Sequence, residues 1–455
     1  MGKKIFLILA LIFYSGIAAA GIVTQGPLCT AEYWVNKNPA GEQLLLPAAE
    51  IVAYNQQVIH SPERLHVVAL STFPGRLAGG ALKETLTNYS YLRRTLYARG
   101  QVFTPAEQDD LKALTAPEKV PVEVVVRYGV AVQHSPLRNL PRTEGLYEEP
   151  DDSYYDVLQD TVVEPGEPVV VLHESSDGRY YYVQTYNVRG WLLRKDVALT
   201  SRPVWLRYVE PQKFLLVVGK DYREQVGGVQ VFYLMGAKIL LQGEEKHGYR
   251  VLLPRRDQEG NLMERSELLS KTSALRVGYL PYTQNNVVRQ AFKFYGNIYG
   301  WGGSFYSVDC SSLVDCVYKT MGVQLPRNSE QLRRCPLGGR VDLKGADHEQ
   351  RQFVYQDLQP GATIHMPGHV MLYLGEVDHR PYVIHAASSY YERGAATGHQ
   401  IKMIDGVPWH KVYVRKVLVS DLDLHGSNGQ VFADRVTSVR TYDLQQISDS
   451  KVLHH

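Results

Sequence analysis

A cysteine, two histidines and a tyrosine in the C-terminal part of the chain have the types and order needed for covalent attack on an amide. Cys310 stands in Asp309-Cys310-Ser311, where a loop rich in glycine and aromatics, Tyr299 to Tyr306, gives way to a helical pattern. Leu313, Val314, Val317, Tyr318 and Met321 recur at helical spacing, Cys310 shares their face at the first turn, and Gly322 supplies a stop. A thiol at a helix N-terminus sits at the positive end of the backbone dipole, which favours thiolate and predicts a pKa below the free value of about 8.5. A nucleophilic cysteine needs a base, and the base needs an orienting partner. His369 opens one strand-like run and His385 stands in the next. If the hairpin joining them is centred near Val377, the two imidazoles stand directly across the ladder on one face, close enough to touch. Cys310 then attacks a carbonyl, His369 takes and returns the proton, and His385 fixes the tautomer of His369. The Tyr299 hydroxyl, with the Cys310 backbone N–H, is placed to steady the oxyanion.

These groups need a helix laid against an antiparallel sheet. Val287 to Tyr295 reads as a helix, and the helix at Cys310 follows. Residues 332–352 read as a polar loop. Ala362 to His365, His369 to Gly375 and Tyr382 to Ala386 read as strands, and Lys411 to Leu418 as the last one. From about Ser420 onward the polar chain reads as peripheral. Upstream, Val122 to Val132, Val169 to His173, Tyr180 to Thr185 and Gly190-Trp191 are short strands with turn signals between them, and Pro136 to Pro141 reads as a loop. A second set comprises Trp205 to Val209, Phe214 to Val218, Val229 to Met235, Ala237 to Gln242 and Tyr249 to Leu253. Such texture predicts two small antiparallel barrels. Before them lies a mostly helical stretch in which Thr104-Pro105-Ala106-Glu107 is a helix start with a capping box.

The joint pattern Y-x-W-G-G, D-C-S-S-L, L-P-R-x-S-x-x-Q, P-G-H-V-M-L-Y-L-G and V-I-H-A resembles the NlpC family of bacterial cell-wall cysteine peptidases over roughly residues 271–420. The resemblance implies an α+β, papain-like fold and a Cys310–His369–His385 triad. It implies hydrolysis of the γ-D-glutamyl to diamino-acid amide bond in peptidoglycan stem peptides. It implies peptide contacts at Asp309, Ser311 and Ser329. Three positions depart from the family's usual residues: Ser312 for Gly, Ala362 for Asp, and Asn328 for Asp. The last removes a charge on the substrate side. In the multidomain members a first SH3-type barrel borders the groove. Residues 121–200 look like that barrel, through Leu137 to Arg142 and Val171 to Val183, and Arg138, Glu174 and Asp177 are its candidate groove residues. The expected organisation is a signal peptide at 1–20, an N-terminal stabilising segment at 21–120, SH3-like barrels at 121–200 and 201–270, the peptidase domain at 271–425 and a C-terminal tail at 426–455.

The N-terminus supports export. Lys3 and Lys4 precede an apolar run from Ile5 to Ile17, and Ala18-Ala19-Ala20 forms a small-residue cleavage site. No membrane anchor is expected after cleavage, and the periplasm or cell envelope is the expected location. A net charge of +2 without a basic run gives no sign of nucleic-acid binding. The four cysteines include no C-x-x-C pair, so neither metal nor cofactor is expected. Cys316 reads as a small apolar filler, and His365, His379 and His410 as bystanders. Two rival functions share these features: a non-catalytic peptidoglycan-binding protein, and a papain-like acyltransferase with an acceptor other than water.

Overall fold

The structure is a computed structural model and describes residues 24–63, 65–394 and 401–442. The signal-like stretch lies outside the described residues. The chain forms two seven-stranded antiparallel sheets with a five-stranded sheet between them in sequence. The first orders its strands Val197–Thr200, Arg127–Ala131, Pro168–Glu174, Tyr180–Gln184, Arg189–Leu193, Ser135–Arg138 and Gln159–Val163. The five-stranded sheet holds Phe214–Val217, Lys238–Glu244, Gly248–Arg256, Leu262–Ser270 and Leu275–Val277, with a separate hairpin of Asp221–Val226 and Val229–Leu234.

Several local expectations need correction. Trp205 to Val209 is part of a helix, Arg202–Val209, with Pro203 at its start. Its aromatic and β-branched residues suggested a strand. Instead Trp205 and Tyr208 lie three apart on one helical face and pack into the core of the first sheet with Val170 and Trp191. The run from Pro136 begins inside the strand Ser135–Arg138. The supposed loop at 332–352 contains the end of a helix, Ser329–Arg334, a strand, Arg340–Asp342, and the start of a helix, His348–Asp357. That last helix hides a polar anchor. Buried Arg351 donates to the carbonyls of Leu343, Ala346, Ala433 and Val436, so its burial needs no apolar stripe.

The third sheet positions the candidate site. Its order is Arg340–Asp342, Ser438–Arg440, Thr363–Met366, His369–Val377, Arg380–Arg393, Val407–Asp421 and Ile401–Ile404. The strand Ser438–Arg440 therefore corrects the reading of residues after Ser420 as peripheral. It sits between two other strands, and Val439 and Tyr442 are buried. Three residues are too short a run to stand out against polar flanks. Helices Gln284–Phe292 and Cys310–Lys319 cover one face, where Leu313, Val314 and Val317 pack with Val370, Leu372 and Ile384.

The segment before the first sheet divides among three cores, the last of which joins Leu92, Leu96, Phe103 and Leu111 to Leu140, Leu146 and Leu158. Trp34, Ile51, Tyr54 and Val58 belong with the helix Cys310–Lys319, and Asn55 donates to the Gly322 carbonyl at 2.9 Å. Leu70, Phe73, Leu82 and Leu86 belong with the first sheet. The Thr104–Glu107 capping box forms as expected at the start of Pro105–Leu114.

Candidate active site

Cys310 is the first residue of its helix, and Asp309 is the cap. The Asp309 carboxylate accepts from the Ser312 N–H at 2.8 Å, and the Asp309 N–H donates to the Ser312 hydroxyl at 2.8 Å. Ser312, where glycine is usual, thus completes a reciprocal capping box. The same carboxylate pairs with Arg327 at 2.8 Å and accepts from the Gly302 N–H at 3.1 Å. Arg327 also donates to Ser311 and Thr161, at 2.9 Å and 2.7 Å. The side chains of Asp309 and Ser311 are therefore committed beneath the nucleophile. Burial alone would raise the Asp309 carboxyl, but the Arg327 guanidinium and the capping bonds hold it below its usual range.

His369 opens its strand, half-buried, and His385 is fully buried in the next. The hairpin turns at Asp378-His379, one residue beyond the expected centre, and both turn residues have positive φ, 49° and 60°. Leu372 pairs with Ile384, so the register carried onward sets His369 opposite Ala387 and His385 opposite Met371. The histidines are diagonal neighbours, not directly opposed. A bulge between Tyr373 and Gly375 makes this possible. Without it the register nearer the turn would continue, and the two rings would lie on opposite faces.

Nε2 of His369 lies 2.8 Å from Nδ1 of His385, and Nε2 of His385 lies 3.1 Å from the Ser420 hydroxyl. If His369 donates from Nε2, its Nδ1 is left bare to accept a proton, and His385 donates onward to Ser420. Ser420 is buried and comes from Val407–Asp421. It stood at the edge of what read as periphery, so only the strand register could have found it. Phe432 covers both imidazoles, its ring centroid 6.4 Å from each.

The thiol does not follow the helix-end expectation in this state. Burial pushes it up to about 12, and the Asp309 carboxylate adds to the rise, while the N–H groups of Val370 and Ser311 pull the other way. Burial also lowers His369 to about 4, and His385 well below its usual value. Both shifts favour a neutral thiol beside a neutral imidazole.

Tyr299 bridges to Val308, and its N–H donates to the Arg415 carbonyl at 2.8 Å. Burial, with Cys310 and Asp309 nearby, pushes its hydroxyl well up, so it keeps its proton as a donor. The first sheet borders this loop. Trp301 donates to the Asp156 carbonyl at 3.0 Å, Gln159 donates to the Gly302 carbonyl at 2.8 Å, and the Tyr155 ring lies 5.9 Å from Tyr299. A Cβ on Gly302, whose φ is +55°, would lie 2.7 Å from Gln159 Cγ, so this close approach calls for glycine.

Arg138 is buried against Asp156 and Gln159, Glu174 pairs with Arg127 and Arg194, and Asp177 accepts from Ser175 and Arg179 in a turn. All three serve the first sheet itself. Ser329 begins the helix Ser329–Arg334, half-buried, and Asn328 caps it by accepting from the Gln331 N–H at 2.9 Å. Asn328 therefore caps this helix without a charge. The four cysteines are unbridged. Among the described residues no group of three or more His, Cys, Asp or Glu is arranged to hold a metal, and no helix is long and apolar enough to cross a membrane.

A cysteine at a helix start, packed on a sheet that carries its histidines, is a papain-like α+β arrangement, here with an SH3-like β domain beside it. Residues 296–417 match the NlpC/P60 family and residues 146–193 an SH3 domain of the SH3b1 type. The chain therefore carries an NlpC/P60 peptidase-family domain preceded by an SH3 domain. It is similar to a protein of Lysinibacillus sphaericus named dipeptidyl-peptidase 6, with 25% identity over 245 residues, 51% of this chain and 81% of that protein. The solved structure of an NlpC/P60 endopeptidase from Photobacterium damselae subsp. piscicida shares the fold. Its TM-score is 0.71 at 15% identity, covering 89% of this chain and 94% of that one. An NlpC/P60 family protein from Bacillus cereus ATCC 10987 is 18% identical over 63% of this chain and 82% of that one, but its TM-score of 0.44 is too low to speak for the fold.

Proposed function

We propose that this chain is an exported cysteine peptidase that hydrolyses the γ-D-glutamyl to diamino-acid bond of peptidoglycan stem peptides. The relay from His369 through His385 to Ser420, beside a helix-start cysteine, is the observation that carries the reading. Substrate attack begins from the neutral pair: the Cys310 sulfur bonds to the carbonyl carbon as its proton passes to Nδ1 of His369. The oxyanion meets the Cys310 N–H and the Tyr299 hydroxyl. His369 returns the proton to the departing amine, and water then resolves the acyl-enzyme. Asp309 and Ser311 hold the helix start, and Ser329, half-buried at the start of its own helix, is the remaining candidate for a peptide contact. We divide the chain at the boundaries expected from sequence, except that the first SH3-like unit takes in the helix Arg202–Val209 and the peptidase unit extends through Tyr442.

The L. sphaericus relative is named a dipeptidyl-peptidase, and an enzyme that counts two residues from an end must hold the terminal ammonium. Asp160 suits that task. It follows Gln159, which donates to the Gly302 carbonyl in the loop before Cys310, and its carboxyl lies within electrostatic reach of Arg327, Asp309, Tyr91 and Tyr182. Free stem peptides are therefore the preferred substrate in this reading. Digesting free tri- and tetrapeptides beside whole peptidoglycan, with mass spectrometry of the products, tests it. Faster release from the free peptides is expected. Release from whole peptidoglycan alone contradicts the preference.

A further inference from the structure

A cavity of about 200 Å³ lies away from the thiol and its histidines, where the N-terminal segment, both upstream sheets and the end of the Cys310–Lys319 helix meet. An engineered cavity of about 150 Å³ takes benzene, so a molecule of amino-acid to dipeptide size fits here. Val68, Met235 and Val323 supply apolar wall. Of the charged lining, Glu164 is taken by His134 and the Leu234 N–H, Lys238 lies over the Phe214 and Tyr279 rings, and Glu210 also borders the space. Glu167 and Lys319 are the opposite charges of interest.

Neither charged group is fully used by the protein. The Lys319 ammonium pairs with Asp315 at 2.8 Å and lies 5.1 Å from the Tyr186 ring centroid. Its side chain stays 29% exposed while that of Asp315 is 4% exposed, so the lysine side chain reaches open surface that its partner lacks. Burial would lower Lys319, but Asp315, Tyr186 and Glu167 raise it well above its usual value, so it stays charged. Glu167 accepts from the Glu164 N–H at 3.1 Å through one oxygen, and among the described residues no hydrogen bond reaches the other. Burial raises its carboxyl, and Lys319 draws it partly back. A half-buried carboxyl with one unbonded oxygen and a half-satisfied ammonium in one cavity gain most from a ligand that carries both complementary charges.

We propose that this cavity is a binding site for a small zwitterion, an amino acid or dipeptide, with its carboxylate on Lys319 and its ammonium on Glu167. Lys319 ends the helix that Cys310 begins, so an occupant bears on the element that positions the thiol. The site stands on its own geometry and does not depend on the bond cleaved.

Thermal unfolding of the full chain tests it, with glycine, L-alanine and L-alanyl-L-alanine as probes and N-acetyl-L-alanine and L-alanine amide as capped controls. The uncapped probes are expected to raise Tm by a few degrees and the capped ones to leave it unchanged. Ala69, half-buried in the cavity wall, gives the decisive variant. Ala69→Phe fills the space and is expected to abolish the shift while peptide hydrolysis continues. Lys319→Met is expected to abolish it too. Should that variant fail to fold with Asp315 unpaired, Ala69→Phe decides alone. No shift with any uncapped probe, equal shifts with capped ones, or a shift that survives Ala69→Phe overturns the proposal.

Discussion

Nε2 of His369 and Nδ1 of His385 lie 2.8 Å apart because a single bulge turns both rings to one face of the sheet. That contact sets which nitrogen of His369 faces away from its partner. Replacing His385 with Ala is expected to lower kcat by about 10²–10⁴-fold, the scale of a positioned acid–base group, with little change in KM. Ser420→Ala removes only the outer bond, worth about 1 kcal/mol, and should cost roughly fivefold. Steady-state kinetics on a stem tripeptide check both. Equal losses would show that His385 does not depend on Ser420 in the graded way described.

Arg327 and Asp309 form a buried pair, their side chains 7% and 9% exposed. Removing one partner leaves a buried charge, which costs about 3–5 kcal/mol. Arg327→Met is therefore expected to unfold at markedly lower denaturant. The double variant Arg327→Met with Asp309→Asn should recover part of the loss. Chemical denaturation measures it, and a double variant no better than the single one contradicts the pairing.

The two histidines also set a pH response. Burial, with Arg435 adding, lowers His369 to about 4, and burial, with His369 adding, lowers His385 well below its usual value. The unfolded chain protonates such groups near 6.5. Their contribution to stability is therefore complete above pH 6.5 and is lost as pH falls from 6.5 towards 4. Tm should fall through that window. The acid limb of kcat/KM, which reports the free enzyme, is expected near 4. A limb at 6.5 contradicts this burial.

Asp160→Asn keeps the shape of the side chain and removes its charge. Under the proposed recognition of a terminal ammonium, it should raise KM for free stem peptides about tenfold or more, as loss of a charge-assisted bond of about 1.5–3 kcal/mol implies. N-acetylated peptides should then be cleaved equally by both forms. Unchanged KM with the free peptides contradicts the role.

Truncation after Gln430 removes Phe432 from above the histidines and the strand Ser438–Arg440 from inside the third sheet. The shortened chain is expected to lose cooperative unfolding in circular dichroism. A truncated form with native Tm would contradict the sheet order.

The helix at Cys310 was legible because its apolar stripe and its stop agree. The strands around His369 and His385 were legible from their apolar runs and flanking turns. The diagonal register was not, because a bulge leaves no mark in an apolar strand. Ser420 and Arg327 were hidden for a related reason: each acts through a partner distant in sequence. The lowered thiol expected from the helix end failed because burial, a tertiary property, outweighs a local dipole.

The central claim is that Cys310 carries the reaction with His369. It is tested most directly by following release of the diamino acid from a γ-D-glutamyl stem tripeptide by mass spectrometry, with the native chain and Cys310→Ala. Release by the native chain and a fall of at least about 10³-fold in the variant are expected. Release at an unchanged rate by Cys310→Ala would contradict the account.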